Sequence, residues 1–143
     1  MHLLGIDLGD KRTGLAVADA DFDIASPLKT IEISISRDAE LASAIALEVR
    51  DQGASRVVIG LPLNMDDGSE GPQAKKVRAF GERLARELEG IEIVFHDERL
   101  TSEQADWEMS RSGLTHKQKK ARRDALAAAA ILRDYLGSLG GSS

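Results

Sequence analysis

The chain has 143 residues, of which 42% are hydrophobic and 30% charged, a composition typical of one folded domain and not of a disordered chain. It has no cysteine, which excludes disulfides, thiolate nucleophiles and thiolate metal sites. The formal net charge of -5 argues, taken as a whole, against a polyanionic partner. No segment approaches the roughly 20 apolar residues that span a bilayer, and the N-terminus lacks the pattern of a signal peptide. We therefore expect a cytoplasmic protein that makes no membrane contact.

The first part of the chain is predicted to form three strands. Two short apolar runs, at 3–9 and 13–20, flank a polar turn, which is the pattern of a β-hairpin. A third extended run, at 24–35, contains Pro27, and a proline inside a strand is typical of a sheet edge or a kink.

From residue 41 the hydrophobic spacing becomes helical. Leu41, Ile45 and Val49 recur at every fourth position and predict an amphipathic helix that ends near Gly53. The wholly apolar run at 57–60 predicts a strand that is buried on both faces. A loop rich in Pro, Asn, Asp and Gly follows at 61–72. A second amphipathic helix at 74–88 and a short strand at 91–95 come next.

The last third of the chain is predicted to be helical. One helix begins at 101–103 and ends near Gly113, and a second begins with a capping-box pattern at Thr115 and ends near Leu136. We expect residues 137–143, which are rich in Gly and Ser, to form a flexible tail. The order βββαβαβαα predicts a single α/β domain over 1–136, with a mixed five-stranded sheet flanked by helices.

Asp7 lies inside the first predicted strand, where an ionised carboxylate is costly unless a cation or strong hydrogen-bond donors stabilise it. Gly5 and Gly9 lie on the same face of that strand and would leave space for a ligand or for another backbone segment. The alternative is a purely structural carboxylate that pairs with Lys11, Arg12 or the amides of the turn.

Two further acids occupy unusual positions. Glu98 follows the last predicted strand, and ligands of open α/β sheets bind beyond the carboxyl ends of the strands. Its neighbours Asp97 and Arg99 are charged as well, so any of the three could be a solvated loop residue. Asp124 lies at the start of an apolar helix stripe, or is the N-cap if the helix begins there.

These three carboxylates could converge on one cation. Oxygen ligands of this kind suit Mg²⁺ or Mn²⁺, whereas His2, His96 and His116 are too scattered to form a zinc motif. His96, close to Glu98 in sequence, could instead tune the acids. A single structural ion, or no ion, remains the alternative for the three carboxylates.

Four ordered motifs extend over nearly the whole chain: GIDLG at 5–9 with KRTG at 11–14, GLPLNMD at 60–66 with GP at 71–72, HDERL at 96–100, and DALAAAAIL at 124–132. Together they resemble the YqgF family, also called RuvX-like, a group of RuvC-like members of the ribonuclease H-like superfamily. The sequence departs from the family pattern in one extra loop residue at 66–67. It also has Arg123 where an apolar residue is usual.

The resemblance implies a ribonuclease H-like fold and a nuclease whose acidic site consists of Asp7, Glu98 and Asp124. It implies processing of the 5′ end of the 16S ribosomal RNA precursor, with cleavage of Holliday junctions in branched DNA as the alternative. Hydrolysis of a phosphodiester bond is well served by two divalent ions, here Mg²⁺ or Mn²⁺, and we expect Asp7 to bridge them. A fourth acidic ligand is not identifiable.

Basic and polar side chains near the acids are candidate contacts to substrate phosphates. They are Lys11, Arg12, Asn64, Arg99, Lys119, Lys120, Arg122 and Arg123. Every charged residue from 111 to 123 is basic, so positive charge is concentrated next to Asp124 despite the negative total; a solvated helix face is the alternative. Only 3% of the residues are aromatic, which favours recognition of backbone and shape over stacking of bases. The resemblance places structured RNA ahead of branched DNA as the partner, although both present phosphates to the same acidic site.

Two other functions compete with the nuclease. The first motif also resembles a phosphate loop of actin-like and Hsp70-like ATPases, but the chain has no second domain and no second Gly-rich loop. A non-catalytic nucleic-acid-binding module would not need all three acids. The sequence is compatible with a monomer or a homodimer.

Overall fold

The computed structural model of the chain describes residues 1–99 and 116–140. The helix predicted between 101 and 113 lies outside the described residues, as do the last three residues of the predicted tail.

Five strands form one mixed sheet in the described part of the chain. They are β1 (His2–Leu8), β2 (Thr13–Asp19), β3 (Ile24–Ile31), β4 (Arg56–Leu61) and β5 (Glu92–Asp97), in the order β3-β2-β1-β4-β5. β1, β2 and β3 are antiparallel neighbours, whereas β4 is parallel to β1 and β5 is parallel to β4. The predicted mixed five-stranded sheet is thus confirmed.

The helices lie on both faces of this sheet. They are α1 (Asp38–Asp51), α2 (Pro72–Glu87) and α3 (His116–Gly140), and a short 3-10 turn (Ile35–Arg37) precedes α1. The apolar sides of α1 and α2 pack together on one face. α3 covers the opposite face, where it contacts β1 to β4.

The alternation of side chains along β1 assigns each residue to one of these two layers. Leu4 and Ile6 are fully buried against α1 and α2. Leu3 and Gly5 face α3, and Asp7 shares that face because it is two residues further along the strand. The acid of the central strand therefore points toward the last helix.

The glycine and proline predictions agree with the structure. Gly53 has a positive φ of 64°, and the N–H of the next residue, Ala54, donates to the carbonyl of Val49, so α1 ends as expected. Pro27 lies on the edge strand β3, and the β2–β3 register shifts between Leu15 and Ala16, next to the residue that faces the proline.

α3 ends later than the sequence predicts. It continues beyond Leu136 to Gly140, where the Ser138 hydroxyl donates to the carbonyl of Tyr135 at 2.6 Å. The preceding segment is packed on the sheet, and this packing outweighs the low helix propensity of Gly137. Among the described residues, no helix combines the length and the apolar composition that crossing a bilayer requires.

Candidate active site

The carboxyl groups of Asp7 and Glu98 are joined by a hydrogen bond above β4. Asp7 lies near the end of β1, and Glu98 follows β5, so β4 runs between them. The N–H of Glu98 donates to the carbonyl of Leu61 at 3.2 Å, which fixes the backbone at this point. Gly60 lies beneath the Glu98 side chain, and a β-carbon at position 60 would lie 2.5 Å from its Oε2.

The two carboxyl groups are partly buried, and the burial determines their acidity. Desolvation, together with the charge of Asp124 and against the lowering effect of the hydrogen bond to Glu98, raises the pKa of Asp7 to about 6. The pKa of Glu98 is raised to about 8, mainly by desolvation and secondly by the charge of Asp7. Near neutral pH the pair therefore retains a proton, in a position where a cation could replace it.

Asp124 is brought close to this pair by tight packing of α3 on β2. Gly14 is the partner of Asp7 in the β1–β2 ladder, and a β-carbon at position 14 would lie 1.8 Å from the carbonyl oxygen of Asp124. Because α3 begins at His116, Asp124 lies inside the helix, and the alternative of an N-cap is wrong.

The Asp124 carboxylate faces Arg12. The Nε of Arg12 lies 3.2 Å from the Oδ2 of Asp124. The same Oδ2 is buried and accepts no well-oriented hydrogen bond from the described residues. A buried carboxylate oxygen that lacks a well-oriented hydrogen bond can still accept one from a strong donor, or bind a cation.

The donor chemistry of the three acids fits a divalent cation. Carboxylate oxygens are the ligands that Mg²⁺ and Mn²⁺ prefer, and the Asp7–Glu98 pair offers them from a rigid sheet. Within the described residues, however, no three acids or histidines surround one point. Asp124 is the member that stands apart, because its carboxylate is directed at Arg12.

Three of the predicted phosphate contacts, Lys11, Arg122 and Arg123, are exposed at this end of the sheet. Lys11 is exposed in the β1–β2 turn, next to Arg12. Arg122 and Arg123 are exposed on α3, immediately before Asp124. The side chains of Lys119 and Lys120 lie outside the described residues.

Arg99 and Asn64 have partners within the loop that follows β4. The Nε and Nη2 of Arg99 contact Oδ2 of Asp97 at 2.9 and 2.8 Å, and these hydrogen bonds hold the pKa of Asp97 below its usual range. An Nη1 hydrogen of Arg99 is donated to the carbonyl of Asn64 at 3.5 Å. The Asn64 side chain donates in turn to the Ser69 hydroxyl at 2.8 Å. Both predicted substrate residues thus stabilise this loop.

His96 packs against α3. Its Nε2 lies 2.6 Å from the Oδ2 of Asp134, and its ring meets that of Tyr135 edge to face with 5.6 Å between centroids. The Tyr135 hydroxyl accepts a hydrogen bond from Arg56. These contacts fasten the end of β5, just before Glu98, to the last helix.

Two residues of the site, Gly14 and Gly60, were not identified by sequence reasoning. Each is buried, and each lies where another part of the site occupies the space of the missing side chain. The available signal was a glycine inside a predicted apolar strand, which indicates close approach of another group.

Comparison with known proteins identifies the family. The profile of the family described as "RuvX: Holliday junction resolvase" matches residues 1–138. A protein of Anaeromyxobacter sp. (strain Fw109-5), named "Putative pre-16S rRNA nuclease", is 43% identical over 136 residues, which cover 95% of this chain and 96% of that protein. A protein of the same name from Chloroflexus aurantiacus (strain ATCC 29366 / DSM 635 / J-10-fl) is 42% identical over 134 residues, or 94% of this chain and 85% of its own.

A solved structure supports the same fold. RuvC of Thermus thermophilus, in complex with Holliday junction substrate, superposes with a TM-score of 0.61 at 17% identity and covers 99% of this chain and 97% of its own. The RuvC-like fold agrees with the predicted ribonuclease H-like architecture. The chain belongs to the RuvX family and is a nuclease, a hydrolase that acts on phosphodiester bonds.

Proposed function

We propose that this nuclease depends on a divalent metal and processes the 5′ end of the 16S ribosomal RNA precursor in the cytoplasm. The observation that carries the metal dependence is the buried contact between Asp7 and Glu98, with Asp124 close enough to raise the pKa of Asp7. The choice of RNA follows the names of the relatives from Anaeromyxobacter and Chloroflexus.

Asp7, Glu98 and Asp124 would hold two Mg²⁺ or Mn²⁺ ions. When bound, such ions supply an activated water and neutralise charge on the leaving oxygen. Asp7 is suited to the bridging position because it lies on the central strand, between the elements that carry the other two acids. Asp124 can join the site after its carboxylate leaves Arg12, since its buried Oδ2 has no well-oriented hydrogen bond among the described residues.

The basic side chains around the site would bind the substrate. Lys11, Arg12, Arg122 and Arg123 would offer positive charge to the substrate phosphates. Lys119 and Lys120, which precede them on α3, would serve the same role on the evidence of the sequence. Contacts of this kind recognise backbone and shape, as a structured RNA requires. Asn64 would act from the loop after β4, and Arg99 would act from the segment after β5, where it contacts that loop.

The test is cleavage of a 16S precursor RNA that carries its 5′ extension, in Mg²⁺ or in Mn²⁺. We expect the wild type to cut it and Asp7→Asn to be inactive. Asp51→Asn is the matched control, because Asp51 is exposed at the end of α1, at the opposite end of the sheet. Absence of cleavage by the wild type in either metal would refute the proposal, and cleavage that survives Asp7→Asn would place the chemistry elsewhere.

A Holliday junction is the second candidate substrate. It is favoured by the description of the matching family and by the junction complex of the RuvC neighbour. Symmetric cleavage of a four-way junction requires two active sites and hence a homodimer. Parallel assays on a four-way DNA junction, with the mass in solution measured by light scattering, distinguish the two. Junction cleavage by a dimer favours the second candidate, and RNA cleavage by a monomer favours the first.

A further inference from the structure

Gly60 occupies the point at which the site is most crowded. It is buried in β4, between the wholly buried Ile59 and Leu61. A β-carbon at this position would lie 2.5 Å from Oε2 and 3.2 Å from Cδ of Glu98. It would also lie 2.4 Å from Cδ1 of Ile131 on α3. The Glu98 carboxyl group therefore occupies space that any other residue at position 60 would fill.

The backbone of β4 does not itself require a glycine here. Among the described residues, positive φ values at glycine occur at Gly53, Gly68 and Gly90, and Gly60 is not one of them. It is paired in regular parallel register with His96. A glycine inside a strand costs stability, because it loses more conformational entropy than other residues and packs no side chain. What the glycine contributes is the absence of a β-carbon.

The missing β-carbon lies on the path between the two acids. Asp7 is on β1, Glu98 follows β5, and β4 separates these strands, so the Glu98 side chain has to cross β4 to reach Asp7. A methyl group at position 60 would obstruct that crossing. The added methyl group would clash with both Glu98 and Ile131. Because Glu98 is partly exposed and Ile131 is fully buried, the Glu98 carboxyl group is the group that can move away.

We propose that Gly60 is a positioning residue, whose missing side chain provides the space in which the Glu98 carboxyl group reaches Asp7. This inference rests on the proposed metal site for its functional consequence, which is that Gly60 sets the affinity of the acid pair for a divalent cation. Substitution of a residue that holds a metal ligand in place lowers the affinity for the metal by about 10- to 100-fold.

The variant Gly60→Ala tests this positioning role, but its methyl group also clashes with Ile131, which can destabilise the packing of α3. The double variant Gly60→Ala/Ile131→Val removes the Cδ1 atom of the isoleucine and relieves that clash, while the methyl group still meets Glu98. Gly81→Ala is the matched control. It would place a β-carbon 2.4 Å from Cζ of Phe95, on the opposite face of the same sheet and away from the acids.

Two measurements are made on each protein: Mn²⁺ affinity by isothermal titration calorimetry, and the position of Glu98 in a crystal structure without metal. We expect both Gly60 variants to bind Mn²⁺ about 10- to 100-fold more weakly, with Glu98 turned away from Asp7. Gly81→Ala should bind within about twofold of the wild type, and circular dichroism should show the double variant folded.

The outcomes separate this inference from the proposed function. If Glu98 in the folded double variant still contacts Asp7, the inference is overturned, whatever the activity. If the Glu98 carboxyl group moves away but even the wild type binds no Mn²⁺, the positioning role stands and the proposed metal dependence fails. Weaker Mn²⁺ binding in Gly81→Ala, equal to that of the Gly60 variants, would show a general packing effect and would also overturn the inference.

Discussion

Arg12 and Asp124 form an ion pair, with 3.2 Å between Nε and Oδ2, that joins the β1–β2 turn to the last helix. The side chains are 32% and 24% exposed, so solvent screens the pair and its contribution to stability is small. Its position matters more, because it places the positive charge of Arg12 beside the third acid of the site.

We expect Arg12→Ala to lower the free energy of unfolding by less than about 1 kcal/mol and to weaken nucleic-acid binding substantially. If Arg12 binds one phosphate, the slope of log affinity against log salt concentration falls by about 1. Fluorescence anisotropy with labelled RNA over a range of salt concentrations measures the binding affinity and the slope of its salt dependence. Arg86→Ala is the control, since Arg86 is exposed in the last turn of α2, at the opposite end of the sheet. Equal salt slopes for wild type and Arg12→Ala would exclude the phosphate contact.

The acid pair should make the metal-free protein less stable as the pH rises. The folded state raises the pKa of Asp7 from 3.8 to about 6 and that of Glu98 from 4.5 to about 8, so it holds protons that the unfolded chain has released. The stabilisation is complete below about pH 4 and is lost as the pH rises through these two values. The free energy of unfolding should therefore fall by about 5 kcal/mol between roughly pH 5 and pH 9.

Urea denaturation at several pH values in EDTA measures this dependence. Asp7→Asn removes one member of the pair and should flatten the curve, whereas Asp51→Asn should retain the wild-type slope. Added Mg²⁺ or Mn²⁺ should restore stability at high pH, because a ligand that binds only the folded state stabilises it. Parallel curves for the wild type and Asp7→Asn would contradict the assignment.

Arg99 and Asp97 are expected to be energetically coupled, because they contact each other directly and together hold the loop after β4. Removal of either partner leaves the other without its charge-assisted hydrogen bonds and releases the contact of Arg99 with the Asn64 carbonyl. A double-mutant cycle with Arg99→Ala and Asp97→Ala should give a coupling energy of about 0.5 to 1 kcal/mol, since the pair is about one-third exposed.

Hydrogen exchange of residues 62–70 provides the structural measurement for this pair. Both single variants should accelerate exchange there to a similar extent. If cleavage also falls equally in both variants, Arg99 acts by ordering the loop. A loss of activity confined to Arg99→Ala would instead indicate that Arg99 contacts a phosphate directly.

Substitution of Arg122 tests whether the basic segment before Asp124 binds RNA. It is exposed on α3, so Arg122→Glu should leave the unfolding midpoint unchanged while weakening RNA binding several-fold at low salt. The effect should shrink as salt is added. Arg86→Glu carries the same change of charge at the far end of the molecule and should have little effect. Similar losses for the two variants would show that only the net charge matters.

Asp7 and Asp124 could be singled out from the sequence because each is a polar residue in an apolar setting. Asp7 interrupts a buried strand, and Asp124 begins the buried stripe of a helix. The cost of burying a carboxylate makes such positions visible in a single sequence. Glu98 follows the partly buried strand β5 between two charged residues, so it was ambiguous on its own. The mixed character of the sheet was predictable for a different reason, since the short turns between the first three strands favour hairpins.

Gly14 and Gly60 were not predictable in the same way. A glycine is informative only through what occupies the space beside it, and that occupant comes from a distant part of the chain: the Asp124 backbone in one case and the Glu98 side chain in the other. The partners of Arg99 and Asn64 were missed because a polar or charged loop residue looks the same in sequence whether it contacts its neighbours or a ligand.

The closeness of Gly14 to Asp124 has a consequence for how the site forms during folding. Asp7 on β1 and Asp124 on α3 are far apart along the chain, and they meet only when α3 packs on β2. A nascent or truncated chain that lacks α3 therefore lacks one of the three acids. The proposed three-acid site can therefore assemble only after α3 has packed on the sheet.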